Sequence, residues 1–166
     1  MRLIDEILIN QNIEIAIRKV KSNKGAAGIY KIPVERIQSI FQKKGEQIKS
    51  SIRNMAYRPL PVRRVYIPKL NGKLRPLGIP VVIDRVIQQA ISQKLIEIFD
   101  SSFSQRSYGF RPKRRAQQAV TKLLEYVNDG YTYIVDIDLE KFFDNVPQDK
   151  LMFLVHGSCV DCYLLG

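Results

Sequence analysis

The fold turns on residues 62–80, Val62-Arg-Arg-Val-Tyr-Ile-Pro-Lys-Leu-Asn-Gly-Lys-Leu-Arg-Pro-Leu-Gly-Ile-Pro80. β-Branched and aromatic side chains favour a strand over 62–68. Asn71-Gly72 follows, and both residues tolerate the positive φ that a tight hairpin turn demands, which makes it the strongest short-range hairpin signal. The return strand runs over 73–79 and stops at Pro80. Antiparallel pairing close to the middle of the chain, with helical patterns on both sides, makes the fold class α+β.

Working outward, apolar Leu3, Ile4, Ile7 and Leu8, then Ile13, Ile15, Ala16, Ile17 and Val20, predict two short helices. Lys24-Gly25-Ala26-Ala27-Gly28 is a small, flexible loop. Residues 33–54 read as a helix that begins near Pro33 and is interrupted around Gly45. Beyond the hairpin, Asp84 is a good N-cap for a helix over 85–99, with Val86, Ile87, Ala90, Ile91, Leu95 and Ile98 on one stripe. Tyr108-Gly109-Phe110 breaks the chain, and Pro112 opens a helix with Ala116, Ala119, Val120, Leu123, Leu124 and Val127 as its apolar face. Residues 131–139 read as a buried strand. Asn145 caps a last helix, with Gln148 at capping-box spacing. The sequence stops at Leu164-Leu165-Gly166 inside an apolar stretch, so the chain reads as truncated.

Charge narrows the partner. The 166 residues hold 27 Lys+Arg and 16 Asp+Glu, a net +11 with pI about 9.8. Residues 1–115 carry 24 of those basic residues against 8 acidic ones, and residues 116–166 carry 3 against 8. The first segment is therefore +16 and the second −5. Arg53, Arg58, Arg63, Arg64, Lys69, Lys73 and Arg75 follow one another with no acid between them. Such a run calls for a polyanion, and phosphate fits best, with binding that weakens as salt rises. A membrane surface is disfavoured because these cations sit among strand-forming residues and not on an amphipathic helix.

Composition excludes other classes. A 45% hydrophobic content, evenly spread, is too high for disorder. Two cysteines three residues apart make no disulfide framework. No apolar run approaches the roughly 20 residues of a bilayer span. The start, MRLIDEILIN, has acids within its apolar stretch and is no signal peptide. A soluble chain of a reducing compartment, cytoplasmic, is expected. His156, Cys159 and Cys162 have a metal-like spacing but supply three ligands in an apolar stretch, so core thiols and a surface histidine are the reading.

Along 131–139 alternation puts Asp136 and Asp138 on one face, opposite Tyr133, Val135 and Ile137. A carboxylate on an apolar strand is costly without a cation, and metal-dependent phosphoryl transfer supplies one. Capping or ion pairing is the competing account. The surrounding residues, Ile134-Val-Asp-Ile-Asp-Leu-Glu-Lys-Phe-Phe-Asp-Asn-Val146, resemble the first catalytic motif of reverse transcriptases, in particular group II intron-encoded reverse transcriptase/maturases. Three further blocks, in order, resemble the same family. Residues 19–29 look like its N-terminal extension, residues 67–80 like its fingers hairpin, and Ser107-Tyr-Gly-Phe-Arg-Pro112 like its next block.

The resemblance implies fingers with an N-terminal extension over 1–115 and the start of the palm over 116–166. It implies RNA-directed DNA polymerase and maturase activity in the intact protein, with Mg²⁺ as cofactor. Intron RNA, an RNA template with DNA primer, and deoxynucleoside triphosphates would be the partners. Asp138 would be the catalytic metal ligand, helped by the carbonyl of Leu139. Phe143 would lie under the sugar and exclude a 2′-hydroxyl. Lys69 and Arg75 would bind the triphosphate, Arg75 through a planar guanidinium that engages oxygens in pairs. Leu77 and Ile79 would pack near the templating base. Arg63 and the loop of Ala26, Ala27, Gly28 and Ile29 would meet the template backbone, where small residues let amides approach phosphate. Tyr30 stands where the family usually has Asp.

A two-residue turn at Asn71-Gly72 would pair Lys69 with Leu74 and separate Lys69 from Arg75. A three-residue or bulged turn would pair Lys69 with Arg75, and that odd register is expected. Arg111, Lys113, Arg114 and Arg115 crowd a helix start, where the dipole disfavours cations and free amides suit an anion such as RNA phosphate; a solvated turn paired to distant acids is the competing account. The family's second carboxylate pair lies in a Tyr-x-Asp-Asp hairpin, and the sequence has no Asp-Asp doublet, so this chain by itself is expected to be inactive. The alternatives are a non-catalytic RNA-binding module and a piece of a retron or CRISPR-associated reverse transcriptase. An uncovered palm face is compatible with a homodimer.

Overall fold

The computed structural model describes residues 2–68, 70 and 72–158, without the side chain of Ser158. It is mixed helix and strand, and it divides into two compact units, Met1–Lys94 and Leu95–Gly166. The division falls inside a helix and not in a linker.

Met1–Lys94 begins with α1 (Leu3–Leu8) and α2 (Asn10–Ser22), as the apolar spacing predicts. A turn of 3₁₀ helix at Val34–Arg36 leads into α3 (Ile37–Arg53). This helix runs unbroken through Gly45, contrary to the expected interruption. A mid-helix glycine costs only about 1 kcal/mol, and the position is buried, so packing outweighs it.

The hairpin is β1 (Arg63–Pro68) and β2 (Leu74–Ile79), each strand beginning one residue later than expected. Its register pairs Arg63 with Ile79, Val65 with Leu77, Ile67 with Arg75 and Pro68 with Leu74. Five residues separate the last pair, so the loop has odd length and the regular two-residue hairpin is excluded. Arg75 faces Ile67 across the ladder, not Lys69; Lys69 and Asn71 lie outside the described residues.

Helix α4 (Val82–Phe99) starts earlier than expected. Asp84 is therefore inside its first turn and not its N-cap. Its buried carboxylate instead accepts hydrogen bonds from the Tyr57 hydroxyl and from the Leu60 amide, the latter at 3.0 Å. That contact pushes the Tyr57 phenol well above its usual range, through burial and then the hydrogen bond to Asp84. The segment before β1 is thus tied to the helix after β2. The core comprises Leu3, Ile7, Leu8, Ile13, Ala16, Ile17 and Val20 with Val34, Ile37, Val81, Val82, Val86, Ile87 and Ala90. Inside it Asn12 donates to the carbonyls of Ile7 (2.8 Å) and Ala90 (3.1 Å), and Gln93 donates to Asn12 Oδ1 at 2.7 Å. These bonds satisfy buried amides that would otherwise be costly.

In Leu95–Gly166 the elements are the end of α4, a 3₁₀ turn at Asp100–Ser102, then α5 (Ala116–Asn128), α6 (Phe142–Asn145) and α7 (Gln148–Ser158). Pro112 does not open α5. Phe110 and Lys113 have φ of 56° and 61°, which breaks helical continuity, and Arg115 is the N-cap, its amide donating to Gln118 Oε1 at 2.8 Å. Nor does Asn145 cap α7. Val146 precedes a proline and is held extended (φ −66°, ψ 120°), so a helix cannot continue through it. Asn145 instead donates to the Glu140 carbonyl at 3.2 Å.

The expected buried strand over 131–139 is not formed. A strand needs a ladder partner, and among the described residues β1 and β2 pair only with each other. Tyr133, Ile134, Val135 and Ile137 are exposed, as are Val120, Leu123, Leu124 and Val127 of α5. No hydrophobic residue of 95–158 is buried among those described. No helix among the described residues is long and apolar enough to cross a membrane. Cys159, Cys162 and the terminal Leu164-Leu165-Gly166 lie outside the described residues.

Candidate nucleic-acid interface

The hairpin register decides which side chains act together. Cross-strand partners share a face, and alternate residues of a strand share it too. Arg63, Val65 and Ile67 of β1 therefore lie on one face with Arg75, Leu77 and Ile79 of β2. All four described hairpin residues expected at the nucleotide or template, Arg63, Arg75, Leu77 and Ile79, fall on that face. The Arg75 side chain is exposed and makes no hydrogen bond or ion pair among the described residues. Arg63 is half-buried, and its Nε donor is buried without a partner among the described residues.

The loop carrying Ala26, Ala27, Gly28 and Ile29 meets the base of the hairpin. Gly28 is buried, and a Cβ there would lie 2.8 Å from Val81 Cα and 2.9 Å from the Pro80 carbonyl oxygen and the Val81 nitrogen. Only glycine allows this approach of two backbones. The loop's carbonyls of Ala26 and Gly28 accept from Arg85 Nη2 (2.9 Å) and the Lys31 amide (3.0 Å). Its amides are different: none of those at 25–30 donates to an acceptor among the described residues. A run of unused donors beside a basic strand suits an anionic chain. Ile29 and Tyr30 are exposed next to them. Arg85 was not expected from the sequence; a cation following a buried acid within an apolar run was the available signal.

In Leu95–Gly166 the basic cluster divides. Arg111 has a side chain only 6% exposed, and it is fully engaged within its own segment. Its Nε meets Asp100 Oδ1 at 2.8 Å, Nη2 meets the Asp100 carbonyl at 2.7 Å, and Nη1 meets the Ser104 carbonyl at 2.7 Å. The guanidinium also lies over the Phe103 ring, 5.4 Å from its centre. It organises residues 100–111, leaving little capacity for an external phosphate. Arg114 is bonded to Gln105 and stacks over Tyr108, whereas Lys113 is exposed. The Arg111 hydrogen bond holds the Asp100 carboxyl below its ordinary value. Because the folded value is the lower one, the pair stabilises above the unfolded carboxylate value, about 3.9, and is lost as pH falls through the folded value. Hydrogen-exchange protection of 100–111 should therefore persist at pH 4 and collapse in stronger acid. An Asp100→Asn variant with the wild-type pH profile would contradict this.

Asp138 and Asp136 are exposed, and neither carboxylate is hydrogen-bonded or ion-paired among the described residues. Asp138 is thus not held in a salt link among the described residues. Phe143 is exposed on α6, edge-on to Phe142 with ring centres 5.3 Å apart. No group of three acidic, histidine or cysteine side chains among the described residues could close around a metal ion. One carboxylate and one carbonyl suit part of the oxygen shell of a hard cation.

Residues 67–160 match the family described as reverse transcriptase (RNA-dependent DNA polymerase). The chain is 38% identical over 152 residues to Protein YkfC of Escherichia coli K12, covering 88% of this chain and 40% of that protein. It is 35% identical over 150 residues to the group II intron-encoded protein LtrA of Lactococcus lactis subsp. cremoris, covering 89% of this chain and 24% of that protein. It is 29% identical over 87 residues to nuclear intron maturase 1, mitochondrial, of Arabidopsis thaliana, covering 52% and 12%. The chain thus spans two fifths of Protein YkfC and about a quarter of LtrA.

Proposed function

As the chain belongs to the reverse transcriptase (RNA-dependent DNA polymerase) family, we propose that it supplies the template- and nucleotide-gripping part of an intron-encoded polymerase and maturase. One observation carries this reading: Arg63, Arg75, Leu77 and Ile79 share a hairpin face, at whose base a loop with unused amides is packed. The hairpin would hold the incoming deoxynucleoside triphosphate through Arg75 and Lys69. The loop and Arg63 would follow the RNA template paired to its DNA primer. Asp138 and the Leu139 carbonyl would hold a divalent ion, Mg²⁺ in this reading, whose chemistry is charge stabilisation at the transferred phosphoryl group. Phe143 would test the sugar for a 2′-hydroxyl. The relatives named for introns favour intron RNA as a further partner. The residues 1–115 would serve as fingers and 116–166 as the start of the palm, in a cytoplasmic protein. Primer extension by the chain alone is expected to be absent, because one carboxylate cannot hold two metal ions.

The test is equilibrium binding of the chain to an RNA template annealed to a DNA primer, across a salt series. Each phosphate neutralised contributes a slope of about −0.7 to −0.9 in log K against log salt. With Arg63 and Arg75 on the gripping face, a slope of about −1.4 to −1.8 or steeper is expected. A flat response would refute the electrostatic grip, and Arg75→Ala should make the slope shallower by about one.

A further inference from the structure

The loop at 25–30 is held from one direction by a single side chain. Arg85, in the first turns of α4, donates Nη2 to the Ala26 carbonyl at 2.9 Å. Its Nη1 lies only 2.5 Å from where a Cβ on Gly25 would stand and its Cζ 3.8 Å, so the guanidinium meets the glycine end-on. The peptide between Ala26 and Ala27 is trans, as there are no cis bonds among the described residues. In a planar trans peptide the C=O and N–H vectors are antiparallel. Fixing the Ala26 carbonyl on Arg85 therefore aims the Ala27 amide away from the Arg85 guanidinium. The Gly28 carbonyl, taken by the Lys31 amide, fixes the Ile29 amide in the same manner.

We infer that Arg85 is a positioning residue for template binding: it orients the Ala27 amide toward the template backbone without itself touching phosphate. The inference rests on the proposed meeting of this loop with the template strand. Arg85 spends a charge-assisted hydrogen bond on a carbonyl of its own chain, and the loop gains a donor with a set direction. Alanine at 27 and glycine at 28 then let a phosphate come close.

The experiment compares this chain's affinity for a DNA primer on an RNA template with a single-stranded 5′ RNA overhang against a blunt duplex of equal paired length. Wild type should prefer the overhang. Arg85→Met should cut that preference about tenfold, the worth of one charge-assisted hydrogen bond, with the blunt duplex bound as before and the salt slope unchanged. Arg85→Lys should restore part of it. Gly25→Ala keeps the arginine charge but displaces the guanidinium, and should lose the preference too; it also serves if Arg85→Met fails to fold. Equal losses on both duplexes would make Arg85 merely structural and overturn the inference. A slope shallower by about 0.7–0.9 in Arg85→Met would make it a direct phosphate ligand, which also overturns it. No overhang preference in wild type would refute the loop–template reading itself, whereas a preference that survives both substitutions would refute only the role of Arg85.

Discussion

Primer extension by the intact protein should fall by about 10³-fold or more when Asp138 is replaced by alanine, because losing a metal ligand forfeits several kcal/mol of charge stabilisation and each 1.36 kcal/mol is tenfold in rate. Template affinity should stay within about twofold, since Asp138 is an exposed acid remote in sequence from the basic hairpin and its loss removes no cation. The carboxylate has no partner to lose among the described residues, so the fold should not suffer either. Asp136→Ala is the matched control: it removes the same charge two residues away and should retain most activity. Equal damage from both substitutions would show that total negative charge, and not one ligand, is what this segment provides. Full extension by Asp138→Ala would remove the polymerase assignment of this residue.

Gly28→Ala should lower the unfolding free energy by about 1–3 kcal/mol, the usual cost of forcing extra volume into a closed contact. The added methyl would meet backbone atoms of Pro80 and Val81, which cannot rotate aside as a side chain tip could. Gly109→Ala supplies the comparison, because a Cβ there meets nothing within 4 Å. Thermal melting of the two variants beside wild type measures the difference. A shift of several degrees is expected for Gly28→Ala and almost none for Gly109→Ala. If both melt alike, the loop and the hairpin base are not packed as described.

The hairpin and the early helices were legible because they are local. The spacing of Leu3, Ile7 and Leu8 and of Ile13, Ala16 and Ile17 specifies buried helix faces, and all six are buried. The turn at Asn71-Gly72 announces a hairpin, although not its exact pairing, since loop length and not the turn dipeptide sets register. Residues 131–139 show the opposite case. Tyr133, Val135 and Ile137 have strand-forming chemistry, yet chemistry without a neighbouring strand makes no ladder. The apolar stripe of α5 was also read correctly as a pattern, but burial is a property of what lies against a helix. The roles of Asp138 and Phe143 came from motif resemblance; their exposure and lack of partners are consistent with availability and do not by themselves specify chemistry. Arg85 and the Tyr57–Asp84 contact escaped the sequence because each joins positions more than 25 residues apart.

The proline in β2 has a further consequence. Pro76 sits opposite Tyr66 in mid-ladder, and a residue without an N–H is tolerated in a strand only where its missing donor would have pointed outward. The rim of this two-stranded ribbon is thereby interrupted, as natural sheets interrupt their borders to keep neighbouring molecules from stacking on. A ribbon interrupted in this way is poorly suited to accept another polypeptide, and its open rim need not become a route to fibres.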